Sequence, residues 1–85
     1  MATYRQVLDA VIINTDTTNA AALALGVDPA RVAAALDQMA RAGALVPVLQ
    51  GTTHQHRWSL ASGVSYQHAR EVLEASGIAL ENVIP

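Results

Sequence analysis

One stretch constrains this chain more than any other. Residues 28–43 read Asp-Pro-Ala-Arg-Val-Ala-Ala-Ala-Leu-Asp-Gln-Met-Ala-Arg-Ala-Gly and carry signals for both ends of a helix. Asp28 suits the N-cap, because its carboxylate can accept from the first free backbone N–H groups. Pro29 follows at the first helical position, where a missing N–H costs nothing. Gly43 stands where a left-handed C-terminal residue is wanted. Val32, Leu36 and Met39 fall at helical spacing and form one apolar stripe. The remainder of the chain has to supply a platform for that stripe.

Upstream, Thr3 and Gln6 have the spacing of a capping box. Tyr4, Val7, Leu8, Val11 and Ile12 then repeat at the intervals of one helical face. A first helix is predicted from about Tyr4 to Ile13, with that face in the core. Thr17 or Thr18 can cap a second helix over Asn19–Leu25, which ends at Gly26. Its small side chains let another helix come close. Gly26-Val27-Asp28 is a short turn into the central helix, so the three segments form a helix-turn-helix unit.

After Gly43 the period shortens. Leu45-Val46-Pro47-Val48-Leu49 reads as a strand, at an edge or irregular because Pro47 has no N–H to donate. Residues 50–53 carry turn chemistry. His54 to Leu60 alternates, with Trp58 and Leu60 inward and Arg57 and Ser59 outward, so a hairpin is expected. Ser65 to Ser76 is helical again and carries Tyr66, Ala69, Val72 and Leu73 on its apolar side. Arg70 and Glu74 are spaced for a small i,i+4 pairing. The tail from Ile78 to Pro85 is more apolar than a free end should be. It either folds back on the domain or packs on a partner.

Composition bounds the class. The chain has 85 residues, so one domain is expected, and an alanine-rich composition with 14% charged residues is too apolar for a disordered chain. No apolar run approaches the roughly 18 residues that span a bilayer, so no membrane partner is expected. The first residues lack the pattern of a secretory leader, and there is no cysteine for a disulfide framework. These features together point to a cytoplasmic protein. Net charge is −2, all five basic residues are arginine, and lysine is absent. A nucleic-acid binder usually carries a basic excess, so any such role depends on where the arginines sit.

The series Ala21-Ala22-Leu23-Ala24-Leu25-Gly26-Val27-Asp28, then Val32, Leu36 and Met39, then Gly43-Ala44-Leu45-Val46, resembles a winged helix-turn-helix domain. It is similar to that family's order of support helix, Leu-Gly-Val turn, recognition helix and Gly-x-Leu-Val lead into the hairpin. Arg57-Trp58-Ser59-Leu60 resembles the returning wing strand. The resemblance implies an α+β fold, mostly α, with three helices, a two-stranded wing and a C-terminal helix. Residues 1–61 would form the winged unit. Residues 62–85 would form a C-terminal helix and apolar tail, acting as a dimerisation arm through Tyr66, Ala69, Val72, Leu73, Ile78 and Leu80.

In such proteins the N-terminal part of the recognition helix enters the major groove. The outward residues here are Ala30, Arg31, Ala33, Ala34, Asp37, Gln38 and Arg41. The resemblance places Arg31, Ala34, Gln38 and Arg41 against DNA, with Arg31 and Gln38 as base readers. Thr52, Thr53, His54, His56 and Arg57 of the wing would touch phosphate. Alanine at three of the seven outward positions, and the acid Asp37, depart from that pattern. If Arg31, Arg41 and Arg57 each neutralise one phosphate, the salt slope of one copy is about −2.7, against about −10 for a strongly electrostatic binder. Binding then almost requires a homodimer.

Other chemistry finds little support. His54 and His56 lie two apart, but without cysteine or nearby carboxylates they read as polar surface rather than metal ligands. No nucleophile elbow, phosphate loop or carboxylate pair appears, so neither an enzyme nor a cofactor is expected. Two functions remain. One is a small dimeric regulator of transcription, or a phage or plasmid control protein, that reads double-stranded DNA. The other is a winged-helix module whose alanine-rich central helix docks a protein partner and binds no DNA.

Overall fold

A computed structural model describes residues 2–14, 18–49 and 56–85. Within them the chain runs α1 (Tyr4–Asn14), α2 (Thr18–Leu25), α3 (Pro29–Arg41), β1 (Leu45–Leu49), β2 (His56–Leu60) and α4 (Tyr66–Ala75). The architecture is α+β and mostly helical. No helix among the described residues is long and apolar enough to cross a membrane.

The helix ends follow from local chemistry. At the start of α1 both halves of the capping box form: Thr3 N donates to Gln6 Oε1 at 2.9 Å, and Gln6 N to Thr3 Oγ1 at 3.2 Å. The other free donors of that turn are taken by the far end of the chain. Tyr4 N donates to Asn82 O at 3.0 Å and Arg5 N to Leu80 O at 2.9 Å. Asp28 caps α3 as its sequence predicts, its carboxylate accepting from Ala30 N at 2.9 Å. At the other end of α3, Gly43 N donates to Ala40 O and Ala44 N to Met39 O. This pair of bonds closes the helix through a left-handed residue, and Gly43 meets that need with φ +94°. The same arrangement ends α4, where Gly77 N reaches Glu74 O and Ile78 N reaches Leu73 O.

Val7, Leu8 and Val11 of α1 pack with Val32, Leu36 and Met39 of α3 in one core. Ala21 and Ala22 bury the small face of α2, which is why that helix sits close to its neighbours. The strands pair antiparallel with Leu45 opposite Leu60, Val46 opposite Ser59 and Pro47 opposite Trp58. Leu45 and Trp58 are buried, while Val46 and Ser59 are exposed. The ribbon is fastened to the helices by Trp58 Nε1, which donates to Thr18 Oγ1 at 3.1 Å. A buried indole needs such a partner for its N–H.

The tail folds back on its own chain. Thr3 and Val83 form an isolated antiparallel bridge, and Ile84 N donates to Ala2 O at 2.9 Å. Arg5 and Glu81 add an ion pair at 2.8 Å on the surface. Ile78, Leu80 and Ile84 are thereby buried in the common core.

Candidate functional site

The outer side of α3 is the surface on which the sequence reading depends, and it faces away from the core. Ala30, Arg31, Ala34, Asp37, Gln38 and Arg41 are all exposed, and Ala33 is half-buried. At 3.6 residues per turn these six exposed positions occupy an arc of about 120°. Ala34 and Arg41 run along its middle. Arg31 and Gln38 lie on one edge, Asp37 on the other. Arg31 and Arg41 are about 15 Å apart along the axis.

The edge carrying Arg31 and Gln38 borders the strap made by the two chain ends. Arg31 lines a cavity of about 210 Å³ with Ala2, Val83 and Ile84. The Tyr4 hydroxyl donates to Gln38 Oε1 at 2.8 Å. The Gln38 carbonyl is therefore engaged through one of its two lone pairs. The apolar spacing of α1 places Tyr4 in the core, and its ring is buried there. The signal that helical spacing omits is the hydroxyl, which requires a partner once its ring is inside.

The N-terminus of α3 offers no seat for an anion. Asp28 already fills it with a carboxylate, which opposes the approach of a phosphate. Beside it, Asn19, Ala22, Leu23, Gly26, Val27 and Pro29 line an open, mostly apolar groove. Leu23 is 85% exposed there.

The wing residues divide. Thr52, Thr53 and His54 lie outside the described residues. His56 and Arg57 belong to β2, where their backbones pair with Leu49 and Val48.

The expected dimerisation residues need correction. Ala69, Leu73, Ile78 and Leu80 are buried within the chain's own core, and Val72 packs against it. Ala69, Leu73, Ile78 and Leu80 are not a surface offered to a second copy, because burying them inside the chain has already removed them from water, while Val72 stays half-buried. Tyr66 is half-buried, and its hydroxyl donates to the Asp9 carboxylate, tying α4 to α1. Arg70 is also placed differently from the sequence reading. It lies 5.9 Å from the centroid of the Tyr66 ring. Among the described residues Arg5 pairs with Glu81, and the His68 ring lies 3.8 Å from the Glu71 carboxylate.

The hydrogen bond to Asp9 raises the Tyr66 pKa above its ordinary 10.0, with burial and the Asp9 charge adding to the effect and Arg70 and Arg5 opposing it. A raised value favours the neutral phenol in the folded state. Its stabilisation is therefore fully present below pH 10 or so and is lost as pH climbs through the folded-state value. Tyr66→Phe is expected to cost about 1 kcal/mol near neutrality. Urea unfolding at rising pH should show the gap between the two proteins narrowing on the alkaline side. A constant gap would mean that this hydroxyl does not carry the linkage.

No protein-family model matches the chain, and neither a curated protein nor a solved structure matches it.

Proposed function

We propose that this protein is a winged helix-turn-helix module that binds double-stranded DNA through the outer face of α3, as a small regulator. The observation that carries the reading is the exposure of Arg31, Ala34, Gln38 and Arg41 along one side of a helix closed at both ends. Arg31 and Arg41 supply cations about 15 Å apart, and Ala34 between them lets the helix approach closely. The order of elements supports the same reading: α2 and α3 joined by a turn, then a ribbon anchored back onto α2 by Trp58. Arg57 on β2 would be a third phosphate contact. A single copy would bind weakly, so the reading calls for two copies on neighbouring half-sites. Their contact has to use a surface other than Leu73 or Leu80.

The test is a mobility shift with nonspecific duplex at low salt. Retardation is expected, and its affinity should fall with salt. Arg31→Ala and Arg41→Ala should each make the slope of log K against log salt shallower by about 0.9. No retardation at high protein concentration would overturn the proposal. One observation favours the second reading, protein docking without DNA: the exposed Leu23 beside Val27 and Pro29 is apolar surface of the kind partners cover. Under that reading Leu23→Asp abolishes partner binding, while duplex is never retarded.

A further inference from the structure

The register of the ribbon fixes which backbone groups of β1 point outward. Ala61 N donates to Ala44 O at 3.1 Å, so Ala44 and Ala61 are a hydrogen-bonded pair. Bonded and non-bonded pairs alternate along an antiparallel ladder. Leu45–Leu60 is then a non-bonded pair, Val46–Ser59 a bonded pair and Pro47–Trp58 a non-bonded pair. In a non-bonded pair the backbone groups of both residues turn away from the partner strand. Pro47 therefore costs the ribbon no bond. The donor it lacks belongs to the outer edge of β1, where Leu45 and Leu49 on either side still present an N–H. The sheet among the described residues has two strands, so no third strand there pairs with that edge.

An uncovered edge is a template for another strand, and copies of one segment suit each other well. The side chains of β1 do little to discourage this. Leu45-Val46-Pro47-Val48-Leu49 carries no charge, and lysine, a common guard of such edges, is absent from the chain. Val46 and Pro47 are exposed. Apart from its proline the segment is apolar, uncharged and partly β-branched, the composition of strands that stack on themselves.

We propose that Pro47 keeps β1 of one copy from adding edge to edge to β1 of a second copy. Removing the middle donor leaves the facing carbonyl of the incoming strand without a partner, and burying that carbonyl opposes association. The pyrrolidine ring also stands where the N–H would reach across, so it crowds the incoming backbone. The proposal does not rest on DNA binding. It requires any second copy on DNA to meet the first through a surface other than this edge.

The test compares the full chain with Pro47→Val and Pro47→Ala by sedimentation velocity from micromolar to millimolar protein, with amide hydrogen exchange at both ends of the range. Both substitutions restore the donor, and Pro47→Val also adds a β-branched side chain. At the lowest concentration both variants should unfold in one cooperative transition, because the ribbon's own bonds are untouched. Both are expected to self-associate at roughly tenfold lower concentration than the wild type, from the bond that each copy regains. The Leu45 and Leu49 amides, which share the outer edge, should gain protection as the variants are concentrated. In the wild type their exchange should not depend on concentration. Four results would each overturn the proposal: association of neither variant, association of Pro47→Val alone, association that leaves Leu45 and Leu49 unprotected, or concentration-dependent protection of these amides in the wild type. Failure of either variant to fold at low concentration would overturn it as well, since the ribbon would then need the proline itself.

Discussion

Truncating the chain after Gly77 is expected to leave a protein that no longer unfolds cooperatively at room temperature. The deleted residues include Ile78, Leu80 and Ile84, all buried in the common core. Each such side chain contributes about 1.5–3 kcal/mol by leaving water. Together these losses approach the whole stability of a chain of this length, about 4–13 kcal/mol. The deletion also removes the acceptors of Tyr4 N and Arg5 N and the donor to Ala2 O. The first turn of α1 would then depend on Thr3 and Gln6 alone. Val83→Ala is the control, since Val83 is 47% exposed and its bridge to Thr3 uses only backbone. That variant should stay within about 0.5 kcal/mol of the parent. Thermal melts followed by circular dichroism decide the matter. A sharp, near-parental transition in the truncated chain would show that the tail is dispensable for the core.

The tail also marks where sequence reasoning stopped. Its excess of apolar residues was legible, but whether it returned to its own domain or met a partner was not. That choice depends on whether the first turn of α1 has acceptors nearby, which is a tertiary fact. The features that were legible are local. Asp28, Pro29 and Gly43 bound α3 because each acts on backbone groups within a few residues of itself. Thr3 and Gln6 pair for the same reason. The stripe of Val32, Leu36 and Met39 assigned the buried side of α3, and so its outer side, because helical periodicity ties one to the other. Partnerships over long separations were not legible. Tyr4 with Gln38, Trp58 with Thr18 and Tyr66 with Asp9 are each a side-chain hydrogen bond between elements. In each case an aromatic ring goes into or against the core, and its polar end finds whatever group the packing brings near. Arg70 repeats the lesson within one helix. The spacing permits either Glu74 or Tyr66, and the structure places Arg70 over the half-buried ring.

Leu73→Ala is the second large effect, and it separates a core residue from a dimer seam. Leu73 is fully buried in the chain itself. Removing its outer carbons takes away transfer energy and leaves a cavity, at a cost of about 2–5 kcal/mol. For a domain of this size the melting temperature should fall by at least about 8 °C. The size of that fall should not change with protein concentration. A residue at the contact between two copies behaves differently, because the stability of a dimer is linked to the concentration of its protomers. Melts of the wild type and of Leu73→Ala over a wide range of concentration therefore carry the discrimination. Leu23→Ala, at a position 85% exposed, should leave the melt of the single chain almost unchanged. If the deficit of Leu73→Ala instead grew as the protein was concentrated, α4 would have to be moved from the core of one chain to the boundary between two. The Tyr66–Asp9 tie would move with it.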